Sequence, residues 1–190
     1  YEYMLSKLTT AGTNGQFRTP RHIIKMMVDL MEPRADDIIC DPACGTAGFL
    51  VGAAEYLREL KDGKGNLVLN ARGNREHFDT EMFHGFDFDS TMLRIGSMNM
   101  MLHGLENPNI EAKDTLAQTS REAADFAALE GRVSLVMANP PFKGSVDVAF
   151  VADDLLRATG QSAKKKQSAS KTKGGKKKGP SAKTELLFLS

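Results

Sequence analysis

Residues 37–50 read Asp37-Ile38-Ile39-Cys40-Asp41-Pro42-Ala43-Cys44-Gly45-Thr46-Ala47-Gly48-Phe49-Leu50. The stretch 37–40 predicts a short buried strand that stops at Asp41-Pro42, because proline has no amide donor with which to continue a ladder. The glycine-rich turn 44–48 then leads into a helix on which Leu50, Ala53, Ala54 and Leu57 recur at helical spacing. Strand, tight turn and helix form the opening unit of an α/β fold. The glycines let the backbone approach a ligand closely, and the helix N-terminus suits a carboxylate or phosphate. The spacing Gly-Thr-Ala-Gly is not the Gly-x-Gly-x-x-Gly of dinucleotide folds, which counts against NAD and an oxidoreductase.

On the N-terminal side, Thr19 is placed to cap a helix whose first position is Pro20. Its apolar face is read from Ile23, Met26, Met27, Leu30 and Met31, and Pro33 ends it. On the C-terminal side, residues 61–81 are polar and glycine-containing and predict an irregular connection with a short extended piece at 67–69. A strand at 82–86 follows, then Ser90 as a cap, a methionine-rich helix to Leu102, a third strand at 110–112, a helical stretch around 121–129 and an apolar strand at 133–137. Four strands separated by helices predict a doubly wound, mostly parallel α/β sheet. Ligands of such sheets bind outside the carboxyl ends of the strands. Every unusual polar cluster falls there: 41–48, Asp87, Asp114 and Asn139-Pro140-Pro141-Phe142. Asp87 is placed to accept from ribose hydroxyls, or else to cap the next helix.

Asn139-Pro140-Pro141-Phe142 is the most specific element. Two prolines remove two donors and hold the chain extended, leaving the preceding carbonyls free and rigidly aimed. An asparagine oxygen beside a main-chain carbonyl can accept both hydrogens of an exocyclic amine, and a phenylalanine face can stack on a base. A base in a duplex reaches such a pocket only when rotated out of the stack. The alternative is a purely structural turn.

Composition bounds the rest. At 190 residues and 41% hydrophobic, the chain can bury one core and predicts one domain, 1–160. No apolar run approaches a bilayer crossing and no signal-peptide layout opens the sequence, so a cytoplasmic protein is expected. The start at Tyr1 and the end inside an apolar run predict missing sequence on both sides, with 184–190 read as the start of a further core helix. Cys40 and Cys44 lack a second pair and read as buried thiols, and His22, His77, His84 and His103 lack ligand spacing, so no metal is expected. Residues 161–183 hold nine lysines and no acid, which leaves 16 basic and 23 acidic residues in 1–160, a net of −7. That lysine-rich tract offers nothing apolar to offset the entropy of ordering and predicts a disordered loop. It either contacts phosphates through counterion release or is a solvated insertion.

Taken in order, 16–21 (Gln16-Phe17-Arg18-Thr19-Pro20-Arg21), 41–50, Gly85-Phe86-Asp87 and 139–142 resemble the successive motifs of N6-adenine DNA methyltransferases, specifically the modification subunit of type I restriction-modification systems. The resemblance implies S-adenosylmethionine as cofactor and a methyl transfer to N6 of adenine in DNA. Gln16, Phe17, Arg18, Thr19, Pro20 and Arg21 would pack over the methionine end of the cofactor. Gly45, Thr46, Ala47 and Gly48 would line it, Asp41 would orient its ammonium, Asp87 would take the ribose and Asp114 the adenine. Asn139 and Pro140 would accept from the target amine, with Pro141 rigidifying them and Phe142 stacking on the flipped base. DNA, a specificity subunit and a restriction subunit are the implied partners, with no membrane and no metal. A cofactor-binding scaffold without activity, or a related RNA or protein-glutamine methyltransferase, is the alternative.

Overall fold

The computed structural model describes residues 18–116, 129–140, 145–147, 151, 153–158 and 181–183. The chain divides into two compact units, 1–113 with 131–139 and 114–130 with 140–190.

The first unit is built on four parallel strands: β1 (Ile39–Asp41), β2 (Phe83–Asp87), β3 (Asn109–Ala112) and β4 (Leu135–Val136), in the order β3-β2-β1-β4. Connected strands run outward from β1 through β2 to β3, and β4 returns to the other side of β1. The order therefore reverses between β1 and β4, the place where doubly wound sheets bind ligands. Ser134 seats β4 there: its hydroxyl accepts from Ile38 N–H at 2.9 Å and donates to Asp37 at 2.7 Å. The ladder continues as Met137 N–H donates to the Cys40 carbonyl at 3.1 Å. The strand predicted at 133–137 narrows to two residues, of which Leu135 is buried and Val136 exposed.

Helices α1 (Arg21–Met31), α2 (Gly48–Glu59), α3 (Asn74–Thr80) and α4 (Ser90–Leu102) belong to the same unit. Leu50, Ala53, Ala54 and Leu57 of α2 are all fully buried, as their spacing predicts. Each large side chain so placed contributes about 1.5–3 kcal/mol of burial. On α1 the prediction is corrected: Ile24 and Val28 are buried, while Met26, Leu30 and Met31 are exposed. The helix carries two overlapping apolar stripes, and α2 selects between them. A Cβ at Gly48 would lie 2.8 Å from Ile24 Cδ1 and one at Gly52 2.6 Å from Ile24 Cγ2, so these glycines form the groove that receives Ile24.

The connection 61–81 is more ordered than predicted, with a 3-10 turn at Val68–Asn70 in place of the extended piece, and α3. Helix α3 buries one side chain, Phe78, packed edge-on to Phe83 at 5.2 Å, so no apolar periodicity announced it. Asp89, not Ser90, caps α4, accepting from Thr91 N–H.

In the second unit, β5 (Ser145–Asp147) pairs antiparallel with β6 (Ser181–Lys183), and α5 (Asp153–Ala158) lies between them in sequence. The end of the lysine-rich tract, 181–183, is thus a strand. Its remainder to 180, the stretch 117–128 and the tail 184–190 lie outside the described residues. Among the described residues, no helix is long and apolar enough to cross a membrane.

Candidate functional site

At the carboxyl end of β1 the chain turns sharply into α2. Cys44 N–H donates to the Phe86 carbonyl at 2.9 Å and Ala47 N–H to the Cys44 carbonyl at 2.7 Å, which closes the turn against β2. Gly45 sits at φ +51°, in the left-handed region that glycine enters without penalty. Ala47 is there too, at φ +57°, where a Cβ costs about 1 kcal/mol. The surroundings hold that conformation: Gly45 N–H donates to Asp87 Oδ2 at 2.9 Å, and the Asn99 amide donates to the Thr46 carbonyl at 2.8 Å. No side-chain cap hydrogen bond closes α2 and no acid lies in its first turn. Its leading N–H groups and positive dipole end are therefore suited to an anionic ligand group.

Asp87 does not cap α4, which is the role of Asp89. Its two oxygens accept from Gly45 N–H and from Asp89 N–H, both at 2.9 Å, so it ties the glycine turn to the end of β2. Each oxygen keeps a second acceptor direction. The next residue, Phe88, is an aromatic side chain 82% exposed, which strand periodicity did not single out.

Asp41, at the very end of β1, is 2% exposed and accepts from Ala43 N–H at 3.1 Å. Burial pushes its carboxyl up to about 7, against the pull of the Ala43 hydrogen bond, and the neighbouring Asp87 carboxylate adds to the rise. Burial thus favours the neutral carboxyl, and a positive charge placed beside it would favour the ionised form instead. Cys40 and Cys44 are buried free thiols, as expected. Burial and Asp41 push Cys40 up to about 12 and Cys44 higher still, which leaves both unreactive.

Across the switch point, Asn139 follows the end of β4 and is half-buried. Its Nδ2 donates to Thr19 Oγ1 at 3.0 Å. The predicted cap is corrected here: α1 begins at Arg21, Pro20 is the N-cap residue, and no side chain caps the helix. The Pro20 carbonyl instead accepts from Ile23 and Ile24 N–H.

The first unit thus brings together Thr19, Asp41, 45–48, Asp87 and Asn139. Arg18, Pro20 and Arg21 flank Thr19 at the start of α1. Asp114 and Pro140 belong to the second unit, where exposed Asp114 accepts from Leu116 N–H at 3.0 Å. Gln16, Phe17, Pro141 and Phe142 lie outside the described residues. Sequence reasoning missed Asn99, which is 6% exposed and whose Oδ1 finds no hydrogen-bond partner among the described residues. Only its burial against the turn reveals it, since a lone asparagine in a methionine-rich helix carries no pattern.

Residues 1–171 match the family described as N-6 DNA Methylase. The EcoEI type I restriction enzyme methylase subunit of Escherichia coli is 30% identical over 164 residues, taking in 84% of this chain and 31% of that protein. Among solved structures, a chain from Vibrio vulnificus YJ016 described as a type I restriction enzyme modification subunit is similar with a TM-score of 0.59 at 35% identity, over 78% of this chain and 28% of that one. A chain from a type I R-M system assembly is similar with a TM-score of 0.64 at 27% identity, over 83% and 31%. The chain spans about a third of the length of these relatives.

Proposed function

This chain belongs to the N-6 DNA methylase family, and from that membership we propose that it is the catalytic core of a type I restriction-modification modification subunit, transferring a methyl group from S-adenosylmethionine to N6 of adenine in DNA. One observation carries the reading. Strands β1 and β4 are parallel neighbours, so the glycine turn and Asn139 rise from the same end of adjacent strands at the switch point.

The residues fit the cofactor. Its amino-acid end has an ammonium and a carboxylate, and the site has a buried acid, Asp41, and an uncapped helix N-terminus. Its nucleoside end has ribose hydroxyls and a flat base, matched by the remaining acceptor directions of Asp87 and the exposed ring of Phe88. Thr46, Ala47 and Gly48 supply backbone contact, with 16–21 packing over the methionine end and Asp114 proposed toward the adenine. When bound, the cofactor supplies an activated sulfonium methyl group, so the protein is left with alignment and water exclusion.

Asn139 Oδ1 and the Pro140 carbonyl then accept from the two hydrogens of the target amine. The acceptors orient the nitrogen lone pair toward the methyl group and favour the positive charge that grows on nitrogen during attack. Phe142 is proposed to stack on the rotated base and Pro141 to keep the acceptors rigid. DNA sequence choice is assigned to a separate specificity subunit, with a restriction subunit as a further partner.

Methyl transfer to DNA and cofactor affinity, measured on the full-length protein with and without a specificity subunit, test this. Asn139→Ala should lower transfer by at least about 100-fold, as loss of a preorganised transition-state contact does, with cofactor affinity nearly unchanged. Equal loss of both would make the residue structural, and cofactor binding without transfer by the wild type would reduce the protein to a scaffold.

A further inference from the structure

Thr19 immediately precedes the proline that opens α1, close to where a threonine hydroxyl turns back onto helix N–H groups. Here that use is absent, because Pro20 takes the N-cap position and α1 has no side-chain cap bond. The hydroxyl is instead committed to a residue 120 positions away, accepting from Asn139 Nδ2 at 3.0 Å. Both side chains are half-buried, where a hydrogen bond holds its geometry better than in open solvent.

The two ends of an asparagine amide have opposite hydrogen-bonding character, and half a turn about its last torsion exchanges them. Presented oxygen first, the amide accepts from an amine. Presented nitrogen first, it sets donor against donor and cannot grip one. With Nδ2 held at Thr19, Oδ1 lies at the other end of the amide plane, and none of the described residues donates to it. From this geometry we infer that Thr19 is a positioning residue for methyl transfer: its hydroxyl locks the Asn139 amide with the oxygen turned toward the target amine. The inference rests on the proposed role of Asn139 and deepens it. It also moves the Thr19 hydroxyl from cofactor binding to the base side of the site, leaving the γ-methyl and backbone to the cofactor. Such a lock is useful because an amide free to rotate must be ordered again at each turnover, whereas one fixed beforehand acts without reorganisation.

Thr19→Val removes the hydroxyl and keeps the shape, while Thr19→Ser restores the hydroxyl. On the full-length protein with its specificity subunit, single-turnover transfer to DNA and the cofactor dissociation constant separate the possibilities. Thr19→Val should slow transfer roughly tenfold, the worth of one neutral hydrogen bond, with the cofactor constant within about threefold of wild type and Thr19→Ser within about twofold in rate. Wild-type rates in Thr19→Val, Thr19→Ser as slow as Thr19→Val, or a parallel fall in rate and cofactor affinity would each overturn the positioning role alone. No transfer to adenine by the wild type would instead overturn the reading of Asn139, and the inference with it.

Discussion

Asp41 owes its electrostatic state to residues far from it in the chain. Its place before Pro42 marks the end of β1, and the resemblance points it at an ammonium group. Nothing in 37–42 says that it is nearly inaccessible to water, a condition imposed by β2, β4 and the turn packed around it. The consequence is a testable pH dependence. Its carboxyl is raised from an ordinary 3.8 to about 7 in the fold. Between those limits the folded chain keeps a proton that the unfolded chain releases, so the Asp41 contribution to stability falls as pH rises and is gone above the upper limit. Cofactor binding should run the other way. An ammonium beside Asp41 favours the ionised form, so affinity should climb by up to about tenfold per pH unit below neutrality and level off above it. Calorimetry across pH, in buffers of different ionisation enthalpy, reads the released proton directly. Asp41→Asn should flatten the profile, and a flat profile in the wild type would remove Asp41 from the ammonium site.

Among the elements, those with a strong local signature were legible and those that depend on a partner were not. Helix α2 buries the residues its period designates, because one apolar stripe dominates it. Helix α1 has two stripes, and the choice between them is made by Gly48 and Gly52 where the two helices meet. Helix α3 has one buried side chain and no period at all. The packing of α1 on α2 has its own test. Gly52→Ala gains about 1 kcal/mol of helix propensity in isolation. Here the added Cβ meets Ile24 Cγ2 at 2.6 Å, so we expect a net loss of about 1–2 kcal/mol by chemical denaturation, and Ile24→Ala in the same chain should recover part of it. A stabilised single variant would show that the helices do not meet as described. Because α1 follows directly from Thr19, the same variant should also slow methyl transfer.

For the chain taken together, charge and topology carry separate lessons. The −7 of residues 1–160 sets the lysine-rich tract apart from the rest of the sequence. Replacing the eight lysines between 164 and 178 by glutamine, and sparing Lys183 because it lies in β6, tests the expectation that the tract grips phosphate. The slope of DNA affinity against salt should become shallower by about 0.9 for each phosphate that is no longer neutralised. An unchanged slope assigns the tract to solvent. The four strands of the sheet, helices α1, α2 and α4, the glycine turn and the order of the four motifs were determined by the sequence alone, because backbone preference and apolar period act between near neighbours. Only the tertiary structure decided that β4 returns beside β1, that Asp41 is sealed from water, that Asn99 braces the turn and that Thr19 holds Asn139. Each of these depends on groups brought together across dozens of residues, where proximity follows from how the layers pack, and no local pattern encodes which of two acceptable partners a side chain will meet.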